Sequence, residues 1–289
     1  MSAEPVVLTT SAMGTSFELV LVGDSRDRRR TLAVGEAARE VIREVEARWS
    51  LFLPASRLAQ LNRVGHLVEI DLDGDDCELF EVATAVRKAS EGAFDLNVAR
   101  AMEEAGHFGQ RGLIACLGGE TGGANETWHF DPDAQMISFT GAGPALDLGG
   151  IAKGHAIDLA ARELQESGIS SALLHGGTSA VIAFGSPPDQ EVWMVSSGGF
   201  EIPLDGLALA TSCAGSQSNT GASHILIPGD AQHAVPPKNT ATVLAPSAAL
   251  GDAWATALCV RPELSQSAAP ELLRQGVTVL SPQKPTHHV

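Results

Sequence analysis

Apolar positions recur with helical spacing in the first half of the chain. Across 31–48 they lie three or four residues apart with charged residues between them, and 76–91 shows the same pattern. This spacing puts apolar side chains on one face and predicts two amphipathic helices. A shorter helix is predicted over 56–61, because Ser56 is a residue type that often caps a helix N-terminus.

Alternating or continuously apolar segments predict strands elsewhere. The segment 15–23 alternates, and 128–143 is interpreted as two strands around a turn. The run PALDLGG at 144–150 is predicted as a short buried strand, 171–185 as one buried strand that meets glycines, and glycine-rich 111–126 as a loop. Further strands are predicted at 191–197, 204–212, 222–229 and 241–247, followed by a helix that starts at Ala248.

The stretch around residue 150 combines these signals. HAIDLAARELQESG at 155–168 predicts a helix that ends at Gly168, a good C-terminal stop. Strand, loop, helix and strand in this order indicate a crossover unit. Ligands on such sheets usually bind near strand ends, where the helix begins.

Length and charge narrow the class of protein. A chain of 289 residues with 44% hydrophobic residues can bury a substantial core. We predict one domain over 1–289, leave a division into two subdomains open, and expect a frayed tail over 281–289. The formal net charge of −16 repels nucleic acid and anionic lipid, so neither is expected as a general partner. A phosphate ligand stays compatible, because local donors and a metal can reverse the field within one cleft.

Cysteine spacing and segment hydropathy add three expectations. The four cysteines form no CxxC pair and lie far apart, so neither a metal cluster nor a disulfide framework is supported. No segment approaches 18 uninterrupted apolar residues, so no membrane span is expected. The N-terminal stretch lacks a basic region followed by an apolar one, which predicts a cytoplasmic protein.

The glycine-rich motif DLGGIAKG has two interpretations. Gly149 and Gly150 would let backbone approach a ligand closely, and free N–H groups at a helix start attract anions. The motif fits neither GxGxxG nor the P-loop, since no Ser or Thr follows Lys153. It is either a phosphate-binding loop or a turn that packs a helix on a strand.

The pair Asp252 and Thr256 stands at positions i and i+4 of the last predicted helix, so both oxygens share one face. Both are hard ligands suited to Mg²⁺, which usually takes one or two protein carboxylates and leaves the rest to phosphate and water. The other interpretation is an acid favoured by the helix N-terminus alone. Phe94, beside Asp95, either faces the flat ring of a ligand or belongs to the core. His224, in an apolar strand, is either a packed residue or a catalytic one.

These segments, in this order, resemble the FAD:protein FMN transferase (ApbE) family over nearly the whole chain. The Asp147 block and the pair Asp252 and Thr256 carry the most specific similarity. The matching pieces are Met13-Gly14-Thr15, SLFLPASRLAQLN at 50–62, GAFDLNV at 92–98, DLGGIAKGHAID at 147–158, LLHGG at 173–177, ATS at 210–212, HILIP at 224–228 and GDAWATAL at 251–258.

The resemblance implies a mixed α/β (α+β) ApbE-like fold with FAD bound in a cleft. It implies an enzyme that uses Mg²⁺ to cleave FAD, transfers FMN to a Ser or Thr hydroxyl of an acceptor protein and releases AMP. Some family members hydrolyse FAD to FMN and AMP instead. Two rivals remain open: a module that binds FAD without cleaving it, and a globular α/β protein whose glycines only form turns.

The resemblance also assigns residues. The metal ligands would be the Gly150 carbonyl and the side chains of Asp252 and Thr256, with Asp252 as a catalytic residue. His224 is predicted as a second catalytic residue, because it is the titratable residue nearest to position 227, where the family's acid is missing. The cofactor contacts would be Met13, Phe52, Ala93, Phe94, Asp95, Asp147, Lys153, Leu226 and Ala255. Two departures stand out, because relatives usually have Asp at the position of Ile227 and Tyr at that of Phe52.

Overall fold

The computed structural model describes residues 4–23, 27–108, 114–117, 126–197, 200–215, 223 and 225–280. The helices of this part are α1 (Arg28–Trp49), α2 (Arg57–Val64), α3 (Gly74–Ala89), α4 (Ala99–Glu104), α5 (Ile114–Leu117), α6 (Ala152–Glu166), α7 (Ala248–Val260), α8 (Leu264–Ser267) and α9 (Ala269–Arg274). Its strands are β1 (Val6–Ala12), β2 (Thr15–Val22), β3 (Ile70–Asp71), β4 (Trp128–Asp131), β5 (Met136–Phe139), β6 (Ser171–Gly176), β7 (Ala180–Phe184), β8 (Trp193–Ser197), β9 (Phe200–Leu204), β10 (Leu207–Cys213), β11 (Leu226–Ile227), β12 (Asp230–Ala234), β13 (Thr240–Ala245) and β14 (Thr278–Leu280).

A seven-stranded sheet forms the centre, in the order β1-β2-β6-β7-β10-β13-β14. Each of its neighbouring pairs is antiparallel. Met13 and Gly14 join β1 to β2 with φ angles of 50° and 71°. Two consecutive left-handed residues give the hairpin turn whose twist matches that of the strands.

The two faces of the sheet are covered differently. Phe17, Leu19 and Leu21 of β2 have no exposed surface and belong to the main core, which includes residues of α1, α6 and α7. The alternate positions Val20 and Val22 pack with a second cluster under the hairpin of β8 and β9. The period of two along β2 thus separates the helical layer from the hairpin layer.

Most predicted helices are confirmed with small shifts of their ends. The helices predicted at 31–48, 56–61, 76–91 and 155–168 correspond to α1, α2, α3 and α6, and α7 starts at Ala248 as expected. Ser56 caps α2 through its hydroxyl, which accepts a hydrogen bond from Ala59 N at 3.0 Å. Gly168 follows α6 with a φ of 84°, the left-handed conformation of a helix stop. The predicted mixture of helices and strands is therefore correct.

The strand prediction at 171–185 and the predicted crossover unit are wrong, and a third strand is shorter than predicted. The segment 171–185 is not one strand but the antiparallel hairpin of β6 and β7, because Gly177 adopts a φ of 57° and the chain reverses there. The described strands form only antiparallel pairs, so the predicted crossover unit is absent from this part of the chain. The strand predicted at 222–229 reduces, where it is described, to the two residues of β11.

Other expectations have mixed outcomes. Residues 114–117 form a helical turn inside the predicted loop 111–126, of which the rest, except Glu126, lies outside the described residues. The four cysteines are free thiols. None of the helices described here is long and apolar enough to cross a membrane. The predicted tail 281–289 also lies outside the described residues, and the predicted single domain stays a prediction.

Candidate functional site

The segment before α6 is held in place by side chains and by backbone bonds to Leu96 and Ala99, and not by a sheet. Asn62 donates to Leu146 O at 2.9 Å and accepts from Leu146 N at 2.7 Å. Asn97 accepts from Ala145 N at 2.9 Å. These bonds satisfy a buried backbone without strand partners, so the strand predicted at 144–150 is wrong although the segment is as buried as expected.

Asp147 and Lys153 flank the glycine pair that follows this segment. Asp147 Oδ1 accepts a hydrogen bond from Gly149 N at 2.8 Å, and Lys153 Nζ donates to Gly149 O at 2.8 Å. Burial raises the pKa of Asp147, although the Gly149 N–H and the Lys153 charge favour its ionised form. The turn therefore presents an acid and a base beside backbone that carries no side chains.

Asp252 reaches this turn from α7. Its side chain is buried, and Oδ2 accepts a hydrogen bond from Gly154 N in the first turn of α6 at 2.9 Å. No residue in the described part of the chain donates a hydrogen bond to Oδ1. Burial raises the pKa of Asp252, opposed by Lys153 and by the Gly154 N–H. One carboxylate oxygen is thus fixed by backbone and the other is left for a ligand.

Gly150 and Thr256 meet beside Asp252. A Cβ built on Gly150 would lie 3.4 Å from Thr256 Oγ1 and 3.3 Å from Phe94 Cε2. The first backbone bond of α6 runs from His155 N to Ile151 O, so Gly150 O lies outside the helical ladder. The structure therefore places the Gly150 backbone beside Thr256, and Asp252, one helical turn before Thr256, bonds to Gly154 of the same segment. Their assignment as metal ligands stays a prediction.

The donor set fits a hard cation. It offers one carboxylate, one hydroxyl and one backbone carbonyl, all oxygen, which suits Mg²⁺ when phosphate and water complete the shell. No group of three or more His, Cys, Asp or Glu side chains within the described ranges is arranged to hold a metal. A Mg²⁺ ion at this place would therefore depend on its phosphate-bearing ligand for part of its coordination.

The predicted cofactor contacts at 93–95 are already buried or bonded to other protein groups. Ala93 and Phe94 are buried, and the Phe94 ring edge faces Gly150. The Asp95 carboxylate pairs with Arg87 Nε at 2.8 Å and accepts from Trp128 Nε1 at 2.9 Å. The Asp95 carboxylate therefore holds Arg87 and Trp128 in place. Its role as a flavin contact stays a prediction.

Met13 and Phe52 lie on more open parts of the molecule. Met13 sits in the turn between β1 and β2, where its N–H donates to Glu46 Oε1 at 2.6 Å. The Phe52 side chain is 42% exposed and meets Phe108 edge to face, with ring centroids 5.6 Å apart. An exposed aromatic pair can stack on a ring system, which keeps the prediction for Phe52 open.

Three other predicted residues differ in what the structure describes. Leu226 is buried in β11. Ala255 has no exposed surface in α7, so it supports the site by packing, and its direct contact with a cofactor stays a prediction. His224 lies outside the described residues.

No role was predicted for Asp158 from the sequence, although it is the last residue of the motif DLGGIAKGHAID. Its two carboxylate oxygens accept from Ala248 N at 2.7 Å and from Ala249 N at 2.8 Å, at the start of α7. Burial raises the pKa of Asp158 to about 7 despite these two bonds. The available signal was an acid next to the apolar face of the predicted helix, at Ile157, Ala160 and Ala161.

Comparisons with known proteins agree with this arrangement. The chain is similar in fold to the apo form of the flavinyl transferase ApbE from Pseudomonas stutzeri, with a TM-score of 0.77, 23% identity, and coverage of 98% of this chain and 97% of that one. The ApbE protein from Thermotoga maritima gives 0.75 at 22% identity, with coverage of 95% and 94%. The flavin transferase ApbE from Vibrio cholerae gives 0.72 at 22%, with coverage of 96% and 93%.

These structures share the fold that the sequence predicted. A search of curated proteins gives no match. The family model described as the ApbE family matches residues 13–280, which include every predicted site residue. The chain therefore belongs to the ApbE family.

Proposed function

We propose that the protein is a Mg²⁺-dependent flavin transferase that moves FMN from FAD to a Ser or Thr hydroxyl of an acceptor protein and releases AMP. The observation that carries the proposal is the meeting of Gly150, Asp252 and Thr256 at the start of α6. Membership of the ApbE family makes the protein a transferase, and two similar solved structures are named flavinyl or flavin transferases.

The turn at 147–150 is suited to a pyrophosphate. Gly149 and Gly150 have no side chains to obstruct it, and Lys153 adds a positive charge. The N–H groups of Ala152 and Gly154 in the first turn of α6 already donate to Leu148 O and to Asp252 Oδ2, so they are not the donors for this anion. These local features offset the net charge of −16 that would otherwise repel an anionic cofactor.

The reaction replaces one P–O bond by another. The acceptor hydroxyl oxygen forms a bond to the phosphorus of the FMN half, the bridging P–O bond breaks, and AMP leaves with the bond electrons. Mg²⁺ held by Gly150 O, Asp252 and Thr256 would neutralise charge on the phosphates. The hydroxyl proton must go to a base, and His224 is our candidate for that base. Asp252 would fix the position of the metal ion.

A second candidate function is FAD binding with slow transfer, or hydrolysis of FAD to FMN and AMP. Ile227 favours it, since this residue is partly buried against the core in β11 where relatives usually have Asp. If that acid serves as a base, Ile227→Asp should raise the transfer rate by about 10²-fold or more with little change in FAD affinity. An early melt without a gain in rate would instead indicate a buried, destabilising charge.

Incubation with FAD, Mg²⁺ and candidate acceptor proteins tests both candidates. Mass spectrometry of the acceptor detects added FMN on Ser or Thr, and chromatography detects AMP. FMN on the acceptor together with AMP supports transfer, whereas AMP with free FMN alone supports hydrolysis. Bound FAD without AMP would leave only a binding role, and protein that stays colourless after desalting would contradict a flavin function.

A further inference from the structure

In α6 and α7, a carboxylate of each helix accepts hydrogen bonds from the backbone at the N-terminal end of the other. Asp252 of α7 accepts a hydrogen bond from Gly154 N of α6, and Asp158 of α6 accepts from Ala248 N and Ala249 N of α7. We call this arrangement the reciprocal cap. It joins residues about 90 to 98 positions apart in the chain, so it fixes the two helices relative to each other.

The helices touch backbone to backbone inside the reciprocal cap. A Cβ on Gly154 would lie 2.3 Å from Ala248 O and 2.4 Å from Ala248 C, which real structures do not allow. Backbone atoms cannot move aside as a flexible side chain can. The close approach of α6 and α7 at this point therefore requires a glycine at position 154.

Asp158 is not needed to start α7. Ser247 already caps that helix, because its hydroxyl accepts from Leu250 N at 3.2 Å. A second, buried acid with a pKa raised to about 7 is an unfavourable way to cap a helix that has a cap. Its two bonds instead hold the first residues of α7 against the side of α6.

We infer that Asp158 is a positioning residue for the metal site. By holding Ala248 and Ala249, it sets how far α7 is rotated and shifted on α6, and hence where Asp252 Oδ1 and Thr256 Oγ1 lie relative to Gly150 O. The inference rests on the proposed function, since it assumes that these three oxygens bind a metal ion.

Direct binding of Mn²⁺, followed by electron paramagnetic resonance in the presence of FAD, tests this role without an activity assay. Asp158→Asn keeps the size of the side chain but replaces one acceptor oxygen by a donor. We expect about 10-fold or weaker Mn²⁺ binding, as for other residues that orient metal ligands. The matched control is Ser247→Ala, which removes the hydroxyl cap and costs about 1 kcal/mol of stability. It should change Mn²⁺ affinity less than about 2-fold, because it leaves the reciprocal cap intact.

Ala248→Pro provides a second variant from the opposite side. Proline is favoured at the first helical position, and the preceding Ser247 is extended, with φ −138° and ψ 155°. The change removes the N–H that Asp158 accepts and should weaken Mn²⁺ binding in the same direction. It carries the test if Asp158→Asn does not fold.

Asp252→Ala separates the two levels of the argument. If this variant loses Mn²⁺ while Asp158→Asn binds as tightly as wild type, the positioning role is wrong and the metal site stands. If wild type and Asp252→Ala bind Mn²⁺ equally, or neither binds, both the metal site and the positioning role are wrong. Equal weakening in Ser247→Ala and Asp158→Asn would reduce Asp158 to a stabilising residue.

Discussion

Acids on the two sides of α6 accept hydrogen bonds from different kinds of donor. Toward α1 and α3, side chains satisfy side chains: Arg48 pairs with Asp73 and Asp76, and Arg162 pairs with Asp75 and with Glu78. Toward α7, backbone N–H groups donate to both oxygens of Asp158 and to one oxygen of Asp252.

The side toward α1 and α3 is a cavity of about 300 Å³, lined by residues that include Arg48, Asp76, His155 and Arg162. Asp76 is 1% exposed, and its Oδ1 accepts from Arg48 at 3.1 Å and from Trp49 Nε1 at 3.0 Å. Each of these four ion pairs joins α1 or α6 to α3 or to its N-cap Asp73, so these charges orient α1, α3 and α6.

The difference teaches how to separate structural acids from ligand acids. The charge of a carboxylate that is held by guanidinium groups is already neutralised by an ion pair. Asp76 also has one oxygen, Oδ2, without a hydrogen bond, but Arg48 pairs with its charge. The carboxylate of Asp252 is held by one N–H group and has no such guanidinium partner among the described residues, so it keeps most of its charge. The three predictions that follow change one side of α6 and leave the other intact.

The largest expected effect is a loss of activity on substitution of Asp252 that the same substitution of Asp76 should not cause. Asp252→Asn should lower Mg²⁺-dependent AMP release by on the order of 10³-fold, since a catalytic metal supplies several kcal/mol. Its free energy of unfolding should change by about 1 kcal/mol, because an amide oxygen can still accept from Gly154 N. Rate assays and urea melts measure the two quantities.

Asp76→Asn is the matched change on the other side. It should cost about 1.5–3 kcal/mol of stability through the weakened bonds to Arg48 and Trp49, with the rate per folded molecule unchanged. If Asp76→Asn lowered the rate as strongly as Asp252→Asn, the distinction between structural and ligand acids would be lost.

The second prediction concerns His155, which lines the same cavity. Burial lowers the pKa of His155 to about 4 from an ordinary value of 6.5. The unfolded chain therefore binds the proton more tightly, so this stability is complete above pH 6.5 and is lost as the pH falls toward 4. The loss should reach on the order of 3 kcal/mol.

His155→Gln removes this titration. Urea melts of wild type and variant at pH 7 and pH 4.5 should show a clearly smaller fall for the variant, although acids elsewhere titrate in both. Parallel falls in the two proteins would mean that His155 is solvated or paired as a cation, contrary to its burial.

The smallest expected effect tests the backbone contact toward α7. Gly154→Ala puts a methyl group against Ala248 and should cost about 1–3 kcal/mol while also weakening Mn²⁺ binding. Gly74 in the first turn of α3 is the control, because a Cβ there meets nothing within 4 Å. Gly74→Ala should be neutral or stabilise by about 0.4–1 kcal/mol. A Gly154→Ala protein with wild-type melting and metal binding would contradict the close contact of the helices.

Local signals in the sequence predicted the helices and part of the site. The apolar period predicted α1, α3 and α6, and the spacing of Asp252 and Thr256 placed two proposed metal ligands on one face of α7. These features depend on residues a few positions apart, which is why a single sequence reveals them.

What the sequence could not reveal depends on distant partners. A buried apolar run such as 144–150 looks like a strand unless one knows that Asn62, 84 positions earlier, satisfies its backbone. The role of Asp158 depends on N–H donors 90 and 91 positions later. The hairpin at 171–185 was missed for a local reason, because a glycine pair in an apolar run was interpreted as an interruption and not as a reversal.

The 98 positions between Gly154 and Asp252 also have a consequence for synthesis. At about 5–20 residues per second, a ribosome needs roughly 5–20 s to make the chain between them. Throughout that interval the glycine turn is already translated, but the carboxylate and hydroxyl of α7 do not yet exist. A nascent chain therefore cannot assemble the proposed metal site, and any FAD cleavage that depends on this site must wait until translation has passed Thr256.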